Sequence, residues 1–446
     1  MLLIAKSIMN CKFYINKMNK FPKVLIISVE PFNRNNGTGI TLSNLFDGWD
    51  RNSIAQIYMS PMERENTICS NYYQLSPKIA YLDYYCRSFF SSLFKKINVE
   101  KTNSPAAVTL ERKHSTYKAQ FHLNVRAIAD LSPIHLPAQL FEWINEFKPD
   151  LVYCALGNAR MLNITIKISK IINKPIVPHF MDDWPSTLYT QMELFGLARN
   201  KLIKRINIML KCSNGGLCIS DLMADEYKIR YNLPFSPFVN CVEDKKFDSP
   251  HLNGDSYNFT IMYIGGLHLN RWKSLLDISM AIEKINAPIY FKIYCPTHDN
   301  VLYAKHFKDN RLTTFEGSID NSEVFKTLKK ASLLVHVESF DMNFAQYTRL
   351  SLSTKIPQYM AAGKPIMGYG PKGLASMLHI ELASAGKIVC TPDSKYLCEV
   401  LEELVTNKTM LHKYAKNGFD YAKKYHLRST NHINLINILN KLKNDK

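Results

Sequence analysis

The ten cysteines of this sequence include no CxxC pair, falling at positions 11, 69, 86, 154, 212, 218, 241, 295, 390 and 398. Several sit in apolar runs (LVYCAL, GGLCIS, KIVCTP), where cysteine behaves as a small buried hydrophobe. That argues against a zinc ribbon or a disulfide framework, and fits a reducing cytoplasm. No apolar stretch approaches the ~20 residues that cross a bilayer. The opening MLLIAKSIMNCKFYINKMNK is apolar for too short a run, broken by Lys6 and Asn10, to be a signal peptide. Residues 1–21 are expected to form an extension outside the fold, with Met18 a second candidate start. No GK[ST] is present, which excludes a Walker loop. No repeat of 20–50 residues recurs, which excludes a solenoid.

Acidic side chains are also scarce, 38 against 56 Lys and Arg, for a net charge of +18. Residues 1–250 carry 31 basic and 21 acidic side chains, and residues 251–446 carry 25 and 17. The excess is spread evenly, whereas a nucleic-acid footprint is a patch, arm or stripe. A dispersed basic surface suits an anionic small substrate or an anionic membrane face. With 46% hydrophobic and 21% charged residues, wholesale disorder is excluded, and 446 residues imply two or three domains.

Pattern begins at Lys23. VLIISVE reads as a strand, PFNRNNGTG as a loop, and Leu42, Leu45, Phe46 and Trp49 as the buried stripe of a helix. IAQIY (54–58) is the next strand. Residues 60–135 interrupt the alternation with an aromatic and basic segment, of which YLDYYCRSFFSSLFKK (81–96) is the most amphipathic piece. Alternation resumes with LVYCAL, a helix over 160–172, KPIVPHF, a helix over 199–212, GGLCIS and a helix over 221–231. FSPFVNCVE closes the half. The polar, turn-rich stretch 243–256 marks a boundary. The pattern then restarts with FTIMYIGG, a helix over 274–285, IYFKIYC, LTTFEG, a helix over 322–331, SLLVHVE, a helix from 354 and KPIMGYG. Residues 408–446 read as helical and basic. Short buried runs alternating with helices predict an α/β protein whose parallel sheets are covered on both faces.

In such sheets ligands bind beyond the carboxyl ends of the strands, so five loops become candidates. NNGTG (35–39) offers Gly37 and Gly39, whose amides can approach an anion at a helix start; a plain tight turn explains them equally. HFMDDWP (179–185) places Asp182 and Asp183 after a strand. Neighbouring residues in an extended loop point apart, so a shared metal is not expected; one carboxylate contacting a sugar hydroxyl is, and helix capping is the bland alternative. YIGGLHLNRWKS (263–274) brings Gly265, Gly266, Arg271 and Lys273, and a guanidinium pairs well with phosphate. Glu338 directly follows SLLVHV. LSLSTKIPQYMAAGKPI (350–366) places Lys355 and Gln358 on one helix face, with Ser353 or Thr354 as the cap and Gly363 as the stop.

In order, YIGGL, FEGSI, STKIPQYMAAGKPI and GYGPKGL resemble the retaining glycosyltransferases of family four, also called group 1, over roughly residues 22–430. The resemblance implies the GT-B fold: two Rossmann-like parallel-sheet domains facing a central cleft, with a C-terminal helix returning toward the first. It implies an acceptor-side domain at 22–245, a nucleotide-sugar domain at 246–425 and a basic helix at 426–446. The reaction implied moves a sugar from a nucleotide-diphosphate sugar to a saccharide or polyprenyl-diphosphate-linked acceptor, as in capsule, O-antigen or exopolysaccharide assembly, without metal or other cofactor. Arg271, Lys355 and Asp182 are the expected catalytic residues. Gly37, Gly39, Gly265, Gly266, Glu338, Ser353, Thr354 and Gln358 are the expected donor contacts. The family pattern is altered: Gly266 stands where it has arginine, Arg271 where it has lysine, Gln358 where it has its second glutamate, and Met181 where it has histidine, with His179 a candidate substitute. Its first glutamate, eight positions before the second, has no match, Glu338 lying twenty before Gln358. A GT-B epimerase or hydrolase, using Asp182, His179 or Glu338 as acid or base, and a catalytically inactive partner subunit share these features. A cytoplasmic protein, peripheral on the inner face of the membrane through the 60–135 segment, is expected.

Overall fold

The computed structural model describes residues 21–34, 37–76, 78, 117–247, 258–285 and 287–444. The expected extension apart from Phe21, the 81–96 stretch and residues 248–256 of the expected boundary lie outside them.

Among the described residues two sheets are present, and every strand pairing within them is parallel. The first contains β1 (Val24–Ser28), β2 (Ile54–Tyr58), β3 (Asn71–Gln74), β4 (Leu151–Ala155), β5 (Ile176–Phe180), β6 (Gly216–Cys218) and β7 (Phe235–Pro237), ordered β3-β2-β1-β4-β5-β6-β7. The second contains β8 (Phe259–Ile264), β9 (Ile289–Tyr294), β10 (Thr313–Gly317), β11 (Leu333–Val337), β12 (Ile366–Tyr369) and β13 (Gly386–Val389), ordered β10-β9-β8-β11-β12-β13. Each order reverses direction once, between β1 and β4 and between β8 and β11. Those two crevices are the topological switch points where doubly wound sheets bind ligands.

The central strands are buried at every residue in β1, β2, β4, β5 and β11, which is why they stand out as unbroken apolar runs. Each large apolar side chain so buried contributes roughly 1.5–3 kcal/mol. The edge strand β3 (NYYQ) is only partly covered and mixes polar with aromatic residues, so no apolar run announces it; β13 (GKIV), also partly covered, falls in the run KIVCTP noted for its cysteine. The helix Met342–Thr348 was likewise unannounced. The stripe Leu42, Leu45, Phe46 and Trp49 is buried as expected, but its helix spans Gly37–Phe46, so the two glycines form its first turn instead of a preceding loop.

Residues 408–444 form two helices, Lys408–Tyr425 and Arg428–Asn444, broken at His426–Leu427. The second lies on the first sheet: Leu435, Ile436, Leu439 and Leu442 share a buried cluster with Val24, Ile26 and Phe46. Arg428 Nη1 donates to Asp47 Oδ2 at 2.6 Å, and Asn214 Nδ2 to the Leu442 carbonyl at 2.8 Å. The helix therefore returns to the first half, as the GT-B pattern implies.

The carboxyl-end loops of the first sheet meet the 349–355 segment of the second half. Ser351 Oγ donates to Asp182 Oδ1 at 2.9 Å, Ser220 Oγ to the Leu350 carbonyl at 2.6 Å, and Asn240 Nδ2 to the Thr354 carbonyl at 3.0 Å. Arg349 pairs with Glu226 at 2.5 Å.

Candidate active site

The switch point of the second sheet is spanned by an ion pair. Arg271 opens the helix Arg271–Ile282 after β8, while Glu338 follows β11 directly. Arg271 Nε and Nη2 donate to Glu338 Oε2 at 3.2 Å each, and Nη2 also to Oε1 at 3.0 Å. Both side chains are largely buried, with 14% and 4% of their surface exposed. Burial works against the Arg271 charge, and the facing carboxylate outweighs it, so the guanidinium stays above its ordinary value. For Glu338 burial acts upward, but Arg271 and then the His336 contact bring it down to about 2. Two left-handed residues, Leu269 (φ 60°) and Asn270 (φ 59°), precede the helix. Backbone strain of this kind is concentrated where side chains must be aimed.

Two histidines flank the pair. His336 Nε2 lies 3.4 Å from Glu338 Oε1, a contact longer than a well-formed hydrogen bond. Burial holds His336 below its usual range, against the pull of Glu338. His268 Nε2 is 3.5 Å from Arg271 Nη1, the part of the guanidinium that Glu338 does not engage. Burial, then Arg271 and Lys355, lower His268 to about 3, so it faces these cations as a neutral ring.

Lys355 begins the helix Lys355–Ala361. Its Nζ donates to Tyr263 Oη at 3.1 Å and sits 4.6 Å from the centre of that ring. Burial, then Arg271, push it down to about 7, while Glu338 and Asp299 partly offset this. It forms no ion pair with a described carboxylate. Gly265 is glycine for a steric reason: a Cβ there would overlap the Lys355 ammonium. At Gly266 a Cβ would stand 2.6 Å from His268 Nδ1, so a larger residue requires His268 to move.

From the first domain, Asp182 reaches the same region. Burial pushes its carboxyl up to about 6, Ser351 and Arg271 act downward, and Glu338 and Asp183 act upward. Asp183 turns the other way, accepting from Tyr227 Oη at 2.6 Å and from Arg230 Nη1 at 2.9 Å. The two aspartates do point apart, and Asp183 caps no helix with its side chain. Among the described residues no three His, Cys, Asp or Glu side chains are grouped to hold a metal.

Several expectations are corrected. His179 cannot stand in at Met181: it is internal to β5, 1% exposed, and hydrogen-bonded through Nδ1 to Tyr153 Oη at 2.5 Å. Thr354 occupies the helix start without a side-chain cap bond; Ser353 instead donates its backbone N–H to Ser376 Oγ at 3.1 Å. Lys273 is exposed beside the Trp272 ring, away from the Arg271–Glu338 pair. Gln358 lies one turn past Lys355 and is partly buried. Gly37 faces open space, whereas the Asn33 side chain packs so closely on Gly39 that a Cβ does not fit.

His268, His336 and Tyr263 were not singled out from sequence. A signal existed for two of them, because residues i and i+2 of a strand share a face, and His336–Glu338 and Tyr263–Gly265 have that spacing. The glycines of GYGPKGL, Gly368-x-Gly370-x-x-Gly373, run from the third residue of β12 to just before the helix Ala375–Leu382. There a Cβ on Gly370 would stand 3.0 Å from Glu338 Cβ, so glycine admits the carboxylate.

No protein-family model matches the chain, and no curated protein sequence matches it. Solved structures do. HepE of Anabaena in complex with UDP is 15% identical with a TM-score of 0.62, over 94% of this chain and 100% of that one. The sucrose-phosphate synthase of Thermosynechococcus elongatus is 11% identical with a TM-score of 0.60, over 94% and 98%. WaaG, a glycosyltransferase involved in lipopolysaccharide biosynthesis, is 10% identical with a TM-score of 0.55, over 91% and 98%. At such identities the likeness is one of fold, and the fold is GT-B.

Proposed function

We propose that the protein is a retaining glycosyltransferase that moves a sugar from a nucleotide-diphosphate sugar to a saccharide or lipid-linked saccharide acceptor in surface-polysaccharide assembly. The observation that carries this reading is the convergence of two cations, Arg271 and Lys355, on the switch point of the second sheet, with Glu338 as the carboxylate paired to Arg271. Lys355, which no described carboxylate pairs and whose ammonium form an anion would favour, suits a diphosphate. HepE, similar in fold, is recorded with UDP and with UDP-glucose, which supports a nucleotide-sugar as the donor class.

In the reaction the bond from the anomeric carbon to the diphosphate oxygen breaks and the diphosphate keeps the electron pair. The acceptor hydroxyl oxygen bonds to that carbon, and its proton passes to the departing diphosphate oxygen. Charge builds on the leaving diphosphate, and fixed cations stabilise it there more than in the ground state. In this reading Lys355 Nζ, held by neutral partners, and the Nη1 side of Arg271 take this role without a metal. Glu338 fixes the guanidinium, and Asp182 contacts the sugar from the opposite domain. Retention of configuration is inferred from the family-four resemblance.

The test is a panel of nucleotide-diphosphate sugars read by thermal shift, then a turnover assay with the stabilising donor and product anomericity by NMR. One donor should stabilise the protein, and Arg271→Ala should lower turnover by ~10²–10³, the scale of losing one preorganised charge-stabilising donor. Unchanged turnover in that variant removes Arg271 from the site. Stabilisation by no donor points to an inactive partner subunit, and acceptor-free hydrolysis or epimerisation to the related GT-B chemistries.

A further inference from the structure

Between the helices Trp184–Thr187 and Leu197–Lys211 the chain forms a short apolar knuckle. Phe195 is 93% exposed, Met192 68% and Leu197 66%, three large side chains within six residues. Frayed chain does not explain this, because the knuckle is held from behind. The Gln191 N–H donates to the buried Glu193 carboxylate at 2.9 Å, the Leu194 N–H to Asn124 Oδ1 at 2.8 Å, and Gln120 Nε2 to the Gln191 carbonyl at 3.1 Å. Its backbone is costly as well. Tyr189, Met192, Leu194 and Phe195 all have φ between 51° and 57°, and such positions cost of order 1–3 kcal/mol each when they are not glycine. Phe121, next to Gln120 in the helix Tyr117–Leu131, is 48% exposed.

The helix that leaves the knuckle carries Arg199, Lys201, Lys204, Arg205 and Lys211 and no acidic residue. Arg199 Nη1 donates to the Leu188 carbonyl at 2.9 Å and also to that of Pro185, tying this helix to the segment directly after Asp182. Lys201 Nζ reaches the Leu131 carbonyl at 3.3 Å. Lys204 is exposed and Arg205 half-buried, and neither forms an ion pair with a described carboxylate.

We propose that this surface docks the protein on an anionic lipid bilayer, with Met192, Phe195 and Leu197 entering the headgroup–acyl boundary and Lys204 and Arg205 meeting the lipid phosphates. An apolar tip beside unpaired cations matches the two layers of such an interface, where apolar burial and about 1 kcal/mol per nearby Lys or Arg both favour binding. A protein partner would have to supply matching acidic groups beside an apolar socket, whereas an anionic bilayer presents both layers without a specific fit. Combined with the glycosyltransferase reading, on which this one consequence rests, docking sets the acceptor side of the cleft toward the membrane, where a lipid-linked acceptor resides.

The test is co-sedimentation of the full chain with vesicles rich in phosphatidylglycerol, compared with pure phosphatidylcholine. Binding should require the anionic lipid and weaken with salt. The triple variant Met192→Ser, Phe195→Ser, Leu197→Ser, and separately Lys204→Glu with Arg205→Glu, should each lower partitioning at least about tenfold. Melting temperature and donor-induced thermal shift should stay unchanged, which separates this proposal from the catalytic one. Vesicle binding that survives both variants puts the contact elsewhere and overturns the proposal. So does failure of the unmodified chain to bind at low salt. A self-associated chain that becomes monomeric in the triple variant without having bound vesicles makes the knuckle a protein interface, and also overturns it.

Discussion

Lys355 lies where burial and the Arg271 charge both oppose its own, so it loses its proton near pH 7 in the ligand-free protein. The sign for stability follows from linkage. Between about 7 and the ordinary 10.5 the unfolded chain holds a proton that the folded one has released, so this residue makes the fold more stable as pH rises through that window. For ligand binding the sign is reversed. A diphosphate favours the ammonium form, so UDP affinity measured by calorimetry should be level below pH ~7 and fall by up to about tenfold per unit above it, with proton uptake on binding. Lys355→Met should weaken binding and flatten that profile; an unchanged slope would place the titrating group elsewhere. The aspartates illustrate a second point at this scale. Asp182 and Asp183 are chemically identical neighbours, yet one faces the other domain through Ser351 and one is locked by Tyr227 and Arg230.

Among the elements, the join between the last two helices has its own chemistry. His426 lies in the break between them, and its Nε2 is 2.9 Å from His379 Nε2 on the helix Ala375–Leu382. The two rings are 2% and 6% exposed, with Tyr421 packed against both. Burial lowers His379 to about 4, and burial plus the neighbouring ring take His426 well below its normal value. Burial and then the charge of Asp221 raise the hydroxyl of the neighbouring Tyr421. Unfolded histidines take up protons near 6.5 while these stay neutral, so the pair's stability contribution is present above that pH and is lost as pH falls toward 4. Thermal melts from neutral pH down to about pH 5 should show a smaller loss for His379→Gln, which keeps a hydrogen-bond donor without the titration, than for the unmodified chain. Parallel curves would mean that the pair does not govern acid sensitivity. Composition alone showed 408–446 as one basic helical tract, and the family resemblance set 426–446 apart; neither reveals that His426 meets a partner 47 residues earlier.

At the scale of the molecule, the two halves are fastened by a buried polar chain. Arg428 Nη2 donates to Asn44 Oδ1 at 3.1 Å, Asn44 Nδ2 to Asn240 Oδ1 at 2.8 Å, and Asn240 Nδ2 to the Thr354 carbonyl at 3.0 Å. This chain connects the returning helix, the first helix and the residue preceding Lys355. Asn240 is wholly buried, so Asn240→Ala leaves Asn44 Nδ2 and the Thr354 carbonyl without that partner, while Asn44 Oδ1 keeps Arg428. It should cost roughly 1–3 kcal/mol in urea unfolding, the penalty for a buried polar group left unsatisfied. A loss within error would show that water or repacking satisfies those groups.

The sequence alone determined the repeated strand–helix alternation, the parallel sheets, the central strands and the loops in which chemistry would lie. It could do so because strands buried on both faces must be continuous apolar runs, and because ligands bind past their carboxyl ends. The edge strand β3 escaped because its polar and aromatic residues are only partly covered, whereas the edge strand β10 was legible as LTTFEG. Arg271 and Glu338 could be named separately but not joined, since they are 67 positions apart and meet only because β8 and β11 are neighbours in the sheet. His179 illustrates the converse: its place in the chain suggested the cleft, and its side-chain direction within β5 buried it against Tyr153. Local periodicity is set by what each segment buries, whereas the pairing of distant side chains is set by strand order, which only the tertiary structure decides.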